Sequence, residues 1–237
     1  MQVEIWSDIV CPWCYIGKRR FEAALGRFEH ADEVQVTWRS FELDPRAPFR
    51  PGRSMIEHLA SKYGRTQEQA REMLAQMDRM AAGEGLDYHL QDTTGGNTFD
   101  AHRLIHLAGS HGRGPELKEA LLHAYFIDCL PASDPDVLVR VAGTVGLDEQ
   151  EVRDVLDSDR FAQDVRADEQ AATDYGATGV PFFVFDRAYA VPGAQEADVF
   201  LDALRRTWDR SHPTVSVIGG PAGAGAGAAC TGDACDL

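Results

Sequence analysis

The order of apolar and polar side chains divides the chain into two ends with strand patterns and a long middle with helical patterns. Residues 3–9 form a short apolar run that is typical of a buried strand, and residues 34–41 alternate at period two. Between them, apolar residues recur at helical spacing: Ile16, Phe21, Leu25 and Phe28. The chain therefore opens with a strand–helix–strand unit, for which we expect two parallel strands joined by a right-handed crossover.

The strand pattern disappears between about residue 53 and residue 175, where helical patterns follow one another. Thr66, with Gln69 three residues later, predicts a capping box at the start of one helix. Asn97 and Asp100 predict the cap of another. Further helices are predicted at 115–129, 134–143, 148–156 and 158–175. The middle of the chain is therefore predicted to be all helical.

Strand patterns return at 180–185 and 189–191, and residues 197–209 form a last amphipathic helix pattern. The predicted fold class is α/β, with a βαβ half and a ββα half that build one sheet around a large all-helical insertion. The predicted boundaries are 1–45 for the first half, 46–176 for the inserted helical domain, 177–212 for the second half, and 213–237 for a flexible Gly/Ala-rich tail.

The acidic composition narrows the kinds of partner. The 237 residues include 38 Asp and Glu against 23 Lys and Arg, for a net charge of −15. Because nucleic-acid affinity comes from neutralising phosphates with basic side chains, we expect no nucleic-acid partner. No apolar run approaches the roughly 20 residues that span a bilayer, so we expect no membrane partner either.

Cysteine usage is typical of a reducing compartment. The chain has 5 cysteines, an odd number, unlike the paired set of a disulfide-stapled secreted domain. Its first residues lack the basic and apolar regions of a secretory signal. We therefore expect a cytoplasmic protein, in which a CxxC pair is more often catalytic or metal-binding than structural.

Cys11 and Cys14 form such a pair, at the junction between the first strand and the first helix. In this position the first sulfur meets the unpaired N–H groups and the positive dipole end of the helix, which stabilise a thiolate. The thiolate is the species that attacks disulfides. The pair is therefore a candidate redox centre, with Pro12 and Trp13 between its two sulfurs.

A second pair, Cys230 and Cys235, lies in the Gly/Ala-rich tail. A four-cysteine zinc site needs two pairs on a compact scaffold, and the two pairs here lie at opposite ends of the chain, so we expect no bound metal. A flexible tether would give the tail pair a high effective concentration at the first pair. The tail pair is therefore a candidate auxiliary redox pair, beside the alternative of an unstructured tail with incidental thiols.

Val180 and Pro181 open the returning strand. Proline cannot donate a hydrogen bond to a sheet, so at a strand start it is typical of an edge or a special turn. A cis bond here would leave the backbone groups of Val180 free to pair with an extended peptide close to Cys11. The dipeptide is a weak signal alone, but with an upstream CxxC it predicts a substrate-binding loop.

Three segments resemble the DsbA-like oxidoreductases of the FrnE type, within the thioredoxin-like superfamily. They are residues 7–17, which contain the CPWC sequence, residues 97–103 and residues 177–183. With residues 193–195, the resemblance extends from residue 1 to about 210. It implies a thioredoxin fold with a helical insertion, in which Cys11 is the nucleophile, Cys14 the resolving thiol and Pro181 a cis-proline.

The residues and the resemblance together predict a dithiol–disulfide oxidoreductase that acts on protein or small-thiol substrates and needs no bound cofactor. A related branch of the superfamily contains glutathione-dependent 2-hydroxychromene-2-carboxylate isomerases and kappa-type glutathione transferases, which keep a single Ser or Cys at the reactive position. The intact pair favours redox exchange. An isomerase or transferase acting on a small aromatic compound, with glutathione as co-substrate, is the alternative.

Three weaker signals complete the set of candidate residues. His102 and His106 have the i, i+4 spacing of a metal-binding helix, but the glutamate of a zinc protease is missing between them, which favours packing. Cys129 lies in an apolar segment and is predicted to be buried and inert. Glu42 and Asp44 follow the second strand, from where a carboxylate would relay protons to Cys14.

Overall fold

The computed structural model describes residues 1–48 and 54–213. Within them, the strands are β1 (Gln2–Ser7), β2 (Gln35–Ser40), β3 (Phe182–Phe185) and β4 (Tyr189–Pro192). The helices are α1 (Pro12–Leu25), α2 (Met55–Tyr63), α3 (Gln67–Gly83), α4 (Phe99–Ser110), α5 (Gly114–Phe126), α6 (Pro135–Thr144), α7 (Glu149–Leu156), α8 (Ala162–Asp174) and α9 (Ala197–Ser211). This order confirms the predicted α/β class, with α2 to α8 between β2 and β3.

A four-stranded sheet joins the two ends of the chain in the order β2–β1–β3–β4. β1 runs parallel to β2, as predicted for the strand–helix–strand unit, and antiparallel to β3. Trp6 near the end of β1 lies opposite Phe182 at the start of β3. Because these strands are antiparallel, the chain that leaves β1 toward Cys11 lies beside the chain that enters β3 from Pro181.

α1 and α9 pack together on one face of the sheet. Phe21 of α1, Phe183 of β3 and Phe200 of α9 share one buried cluster. Their ring centroids lie 5.6 Å apart for Phe21 and Phe183, and 4.5 Å apart for Phe183 and Phe200. Burying each such ring stabilises the fold by about 2–3 kcal/mol. These contacts fix the position of α1, and with it the CxxC segment, relative to β3.

The helical unit has its own apolar core, to which α1 also contributes. Tyr15 and Ile16 of α1 are buried in the cluster formed mainly by α3 to α7. The Tyr15 ring stacks on Tyr88 at a centroid distance of 6.1 Å, and its hydroxyl donates to Glu119 of α5 at 2.6 Å. The helical unit therefore packs directly against the helix that begins with the CxxC segment.

Local signals explain where several helices begin. Thr66 and Gln69 exchange side-chain and backbone hydrogen bonds of 3.0 and 3.2 Å, which confirms the predicted capping box of α3. Asn97 accepts the backbone N–H of Phe99 at 2.8 Å at the start of α4. The helix predicted from residue 158 begins only at α8, because Phe161 before it has a left-handed φ of 63°.

Within the described residues, every helix is too short or too polar to cross a membrane. The second cysteine pair, Cys230 and Cys235, lies outside the residues that the structure describes, as do the rest of the predicted tail from residue 214 and residues 49–53 of the predicted inserted domain.

Candidate active site

Cys11 lies at the N-terminal cap of α1, with extended backbone angles of φ −90° and ψ 110°. Its side chain is only 3% exposed, and its thiol donates to the backbone carbonyl of Val180 at 3.5 Å. No side chain caps the N-terminus of α1, and Pro12 at its first position has no N–H to donate. The sulfur of Cys11 therefore lies at the positive end of the α1 dipole.

Cys14 lies one turn further along α1 and is 1% exposed. Its backbone N–H donates to the carbonyl of Cys11 at 3.0 Å, and the two side chains hydrogen-bond to each other as free thiols. Burial raises the pKa of the Cys14 thiol well above its usual value, and the Cys11 hydrogen bond and charge raise it further. The two sulfurs therefore differ: Cys11 faces the helix N-terminus, and Cys14 is held as a thiol.

The Val180–Pro181 segment packs against α1 through a glycine. The Val180–Pro181 peptide bond is cis. A Cβ added to Gly17 of α1 would lie 2.9 Å from Cγ of Pro181 and 3.3 Å from Cβ of Ala194. Only a residue without a side chain allows the loop to approach α1 this closely, so Gly17 helps to hold the Val180 carbonyl at Cys11.

The two residues between the cysteines have different surroundings. Pro12 occupies the first turn of α1, and its carbonyl accepts a 2.8 Å hydrogen bond from the hydroxyl of Tyr88, in the segment between α3 and α4. Trp13 is 37% exposed, although most large apolar side chains nearby are buried. The helical unit therefore holds the CxxC backbone at Pro12, while Trp13 faces solvent beside the two sulfurs.

Lys118 of α5 is a buried charge near the cysteine pair that the sequence interpretation missed. Its ammonium group donates to the carbonyl of Ser7 at 3.3 Å and lies 5.7 Å from the centre of the Trp38 ring. Burial lowers the pKa of Lys118 to about 8, against the opposing charges of Cys14 and Asp8. The available signal was its place on the apolar face of α5, three residues before Leu121.

Asp8 ties the CxxC segment to two other parts of the chain. One oxygen accepts the N–H of Ile9 at 2.7 Å and lies 3.3 Å from Nε2 of His102, and the other accepts the N–H of Leu43 at 2.7 Å. Burial acts to raise the pKa of Asp8, but the His102 hydrogen bond and charge, with the Leu43 N–H, outweigh it and lower the pKa. Asp8 therefore stays ionised, and both of its carboxylate oxygens have hydrogen-bond partners.

The structure corrects the proposed relay through Glu42. Its carboxylate is buried, but it accepts hydrogen bonds from Asn97 at 2.8 Å and from Arg166 at 2.6 Å. Both oxygens are thus occupied by partners in the helical unit. Asp8, whose backbone hydrogen-bonds to Cys14, is a buried residue directly beside the cysteine pair.

The remaining candidates lie apart from the redox pair. His102 contacts Asp8, and His106 lies 3.1 Å from Asp168. Each imidazole ring thus has a carboxylate partner. Among the described residues, no group of three or more His, Cys, Asp or Glu is placed to hold a metal ion. The prediction of a buried Cys129 is wrong: this residue is partly exposed and follows α5 with a left-handed φ of 55°.

A model of the DSBA-like thioredoxin domain matches residues 2–205. Among solved structures, the probable DsbA oxidoreductase SCO1869 from Streptomyces coelicolor is 47% identical, with a TM-score of 0.85 over 96% of this chain and 100% of that chain. A 2-hydroxychromene-2-carboxylate isomerase is 13% identical, with a TM-score of 0.65 over 91% of this chain and 100% of that chain, which shows the fold alone.

Among curated proteins, the uncharacterized protein YwbO from Bacillus subtilis (strain 168) is 28% identical over 207 residues, which cover 86% of this chain and 96% of that protein. The similarities extend across both sheet halves and the helical unit. They confirm the thioredoxin fold with a helical insertion.

Proposed function

The chain belongs to the family of DSBA-like thioredoxin domains, and from this membership we propose that it is a thiol–disulfide oxidoreductase in which Cys11 and Cys14 react. The observation that carries the proposal is the unequal placement of the two sulfurs. Cys11 lies at the helix N-terminus, 3.5 Å from the Val180 carbonyl, and Cys14 is buried one turn behind it. The similarity to a probable DsbA oxidoreductase supports the same assignment.

In the proposed reaction, the thiolate of Cys11 attacks one sulfur of a substrate disulfide and forms a mixed disulfide, while the other substrate sulfur leaves as a thiolate. Cys14 then attacks the sulfur of Cys11 and releases the second substrate thiol. The substrate is reduced by two electrons and the Cys11–Cys14 dithiol is oxidised to a disulfide. The reverse sequence oxidises a substrate dithiol.

The backbone at Val180 and the exposed ring of Trp13 form the proposed substrate-binding surface, together with Pro12 and Pro181. The Val180 carbonyl already accepts a hydrogen bond from Cys11, so a peptide that pairs with this backbone would bring its own sulfur to Cys11. The apolar face of Trp13 offers a contact for the side chains that flank a substrate disulfide. The proposed substrate is therefore a disulfide or dithiol of a protein or a small molecule. The proposed reaction uses no bound metal or organic cofactor.

The experiment compares reduction of insulin disulfides by the parent protein and three serine variants. Cys11→Ser is expected to abolish turnover, and Cys14→Ser is expected to abolish turnover but to trap a mixed disulfide with substrate. Cys129→Ser removes the third thiol of the described residues and is expected to match the parent. Turnover in Cys11→Ser equal to that of the parent would contradict the proposal.

The same variants separate redox exchange from the glutathione-dependent isomerase or transferase alternative. Disulfide exchange needs both sulfurs, whereas isomerisation of a small aromatic compound with glutathione needs Cys11 alone or neither. Isomerase activity on 2-hydroxychromene-2-carboxylate that persists in Cys14→Ser, without insulin reduction by the parent, would favour the alternative.

For the tail, we propose that Cys230 and Cys235 act as an auxiliary pair that exchanges disulfides with Cys11 and Cys14. A tethered pair meets its partner at high effective concentration, so exchange within one molecule would be fast. The double variant Cys230→Ser/Cys235→Ser is expected to turn over insulin more slowly than the parent. Equal rates would leave these thiols without a role in exchange.

We propose the cytoplasm as the compartment, because glutathione and thioredoxin there keep an exchange pair in its reduced form. Alkylation of intact cells before lysis, followed by mass spectrometry, is expected to find Cys11 and Cys14 as free thiols. A fully oxidised pair would contradict this assignment.

A further inference from the structure

Lys118 is a fully buried lysine whose ammonium group makes no ion pair with a carboxylate among the described residues. Its neighbours are the carbonyl of Ser7 and the face of the Trp38 ring. Lys18 of α1 is also buried, but it pairs with Glu22 and Glu119. Because burying an unpaired charge is costly, lysines inside proteins are nearly always paired. Lys118 is thus an exception that needs a reason.

The titratable groups that act on Lys118 come from two parts of the chain. Cys14 and Lys18 lie on α1, Cys11 caps it, and Asp8 follows β1. The positive charge of Lys118 lowers the pKa of Cys14, and negative charge on Cys14 raises the pKa of Lys118. Lys118 and Cys14 are therefore close enough for the protonation of one to control that of the other.

The carboxylates near Cys14 are not free to accept its proton. Both carboxylate oxygens of Asp8 have hydrogen-bond partners, which are the N–H groups of Ile9 and Leu43 and the ring of His102. The pKa of Asp8 is lowered. Glu42 is held by Asn97 and Arg166. Within the part of the chain that the structure describes, Lys118 has one hydrogen-bond acceptor, and burial lowers its pKa to about 8, so it exchanges protons near neutral pH.

We propose, resting on the disulfide-exchange function above, that Lys118 accepts the proton of Cys14 when Cys14 resolves the mixed disulfide and returns it in the reverse step. The neutral amine of Lys118 takes the proton of the Cys14 thiol and becomes an ammonium. The Cys14 thiolate attacks Cys11, the Cys11–Cys14 bond forms, and the bond between Cys11 and the substrate breaks. The substrate sulfur leaves with the electron pair, and the Lys118 proton passes to it or to solvent.

This assignment gives the helical insertion a direct part in the exchange reaction. Lys118 belongs to α5, whereas Cys14 belongs to α1 and Cys11 caps it, so the proton acceptor and the reacting sulfurs belong to different units of the fold. It also links redox state to protonation. In the reduced protein, negative charge on the cysteine pair favours the ammonium form of Lys118, and formation of the disulfide removes that charge.

The experiment follows a single oxidation of the reduced full-length protein by oxidised glutathione, with acid quenching and mass spectrometry. This separates formation of the mixed disulfide at Cys11 from its resolution by Cys14. Lys118→Met removes the proton acceptor at similar length, and Lys118→Arg keeps the positive charge but does not release its proton. Lys62→Met, which replaces an exposed lysine of α2, is the control.

Both Lys118 variants are expected to form the mixed disulfide at the parent rate and to resolve it about a hundredfold more slowly at neutral pH. The inflection near pH 8 in the resolution rate of the parent is expected to disappear. Parent-like resolution in Lys118→Met would overturn the proposal. Parent-like resolution in Lys118→Arg would also overturn it, since charge alone would then suffice. A parent protein that forms neither the mixed disulfide nor the Cys11–Cys14 disulfide would instead refute the exchange function itself.

A measurement on the parent protein avoids dependence on the folding of the variants. With lysine labelled at the side-chain nitrogen, NMR titration of the reduced and oxidised forms reports the protonation of Lys118. Its midpoint is expected to be higher in the reduced form than in the oxidised form. Identical midpoints, or a charged Lys118 throughout the titration in both forms, would exclude proton exchange with Cys14.

Discussion

The contact between Gly17 and Pro181 leads to a quantitative prediction for Gly17→Ala. Alanine in a helix interior is favoured over glycine by about 1 kcal/mol. At Gly17, however, the new Cβ would lie 2.9 Å from Cγ of Pro181, well inside the roughly 3.5 Å of an optimal carbon–carbon contact. Overpacking of this kind costs about 1–3 kcal/mol. The free energy of unfolding is therefore expected to be unchanged or to fall by up to about 2 kcal/mol.

The same substitution is expected to slow disulfide exchange. The Pro181 loop must move away from α1 to admit the methyl group, and the adjoining Val180 carbonyl, 3.5 Å from Cys11, moves with it. Urea unfolding measures the change in stability, and insulin reduction measures the change in activity. The expected result is a lower rate of insulin turnover in a protein that remains folded.

Gly143→Ala is the matched control, because Gly143 lies in α6 and an added Cβ there has no atom within 4 Å. This variant is expected to stabilise the protein by about 0.5–1 kcal/mol without changing turnover. If Gly17→Ala stabilises the protein as much as Gly143→Ala and keeps full turnover, the packing of Pro181 on α1 does not constrain the site as we infer.

Three further predictions concern residues around the cysteine pair. Tyr88→Phe removes the 2.8 Å hydrogen bond to the Pro12 carbonyl and is expected to lower the free energy of unfolding by about 1 kcal/mol in urea; no change would mean that water replaces the hydroxyl. The pKa of Lys118 is lowered from 10.5 to about 8 on folding, so this group binds more protons in the unfolded chain between these values, and its contribution makes stability rise with pH across that window. Lys118→Met is expected to remove this rise, of roughly 3 kcal/mol, and an unchanged slope would contradict the burial. The oxidant DsbA has His at the position of Trp13, where a His can stabilise the thiolate and make the disulfide more oxidising. Equilibration with glutathione is therefore expected to give this protein a potential below the roughly −120 mV of DsbA, and Trp13→His is expected to raise it. A potential at or above that of DsbA would refute the expectation that Trp13 makes the disulfide less oxidising.

The elements around the site were largely predictable because they depend on neighbouring residues. The apolar run of β1, the alternation of β2 and the CxxC segment at the start of α1 each follow from short-range spacing. The capping box at Thr66 is equally local. The start of α8 was less predictable, since the left-handed backbone at Phe161 has no glycine or proline to mark it.

The partners of the cysteine pair were not predictable in the same way. Tyr88 contacts a residue 76 positions away, and Lys118 contacts one 111 positions away. Glu42 was expected near Cys14 because it follows β2, but the structure turns its carboxylate toward Asn97 and Arg166. Periodicity shows that a residue faces a core, but it does not show which residue it meets there.

By itself, the sequence determined the fold class, the order of the elements and the two sulfurs at a helix N-terminus, because these follow from local periodicity, helix capping and the chemistry of thiols. Only the tertiary structure decided what surrounds those sulfurs. The antiparallel pairing of β1 with β3 brings Val180 to Cys11, and the packing of the helical unit on α1 brings Tyr88 and Lys118 to the CxxC segment. The physical reason is that the environment of a buried group, and hence its pKa, is set by contacts between distant parts of the chain.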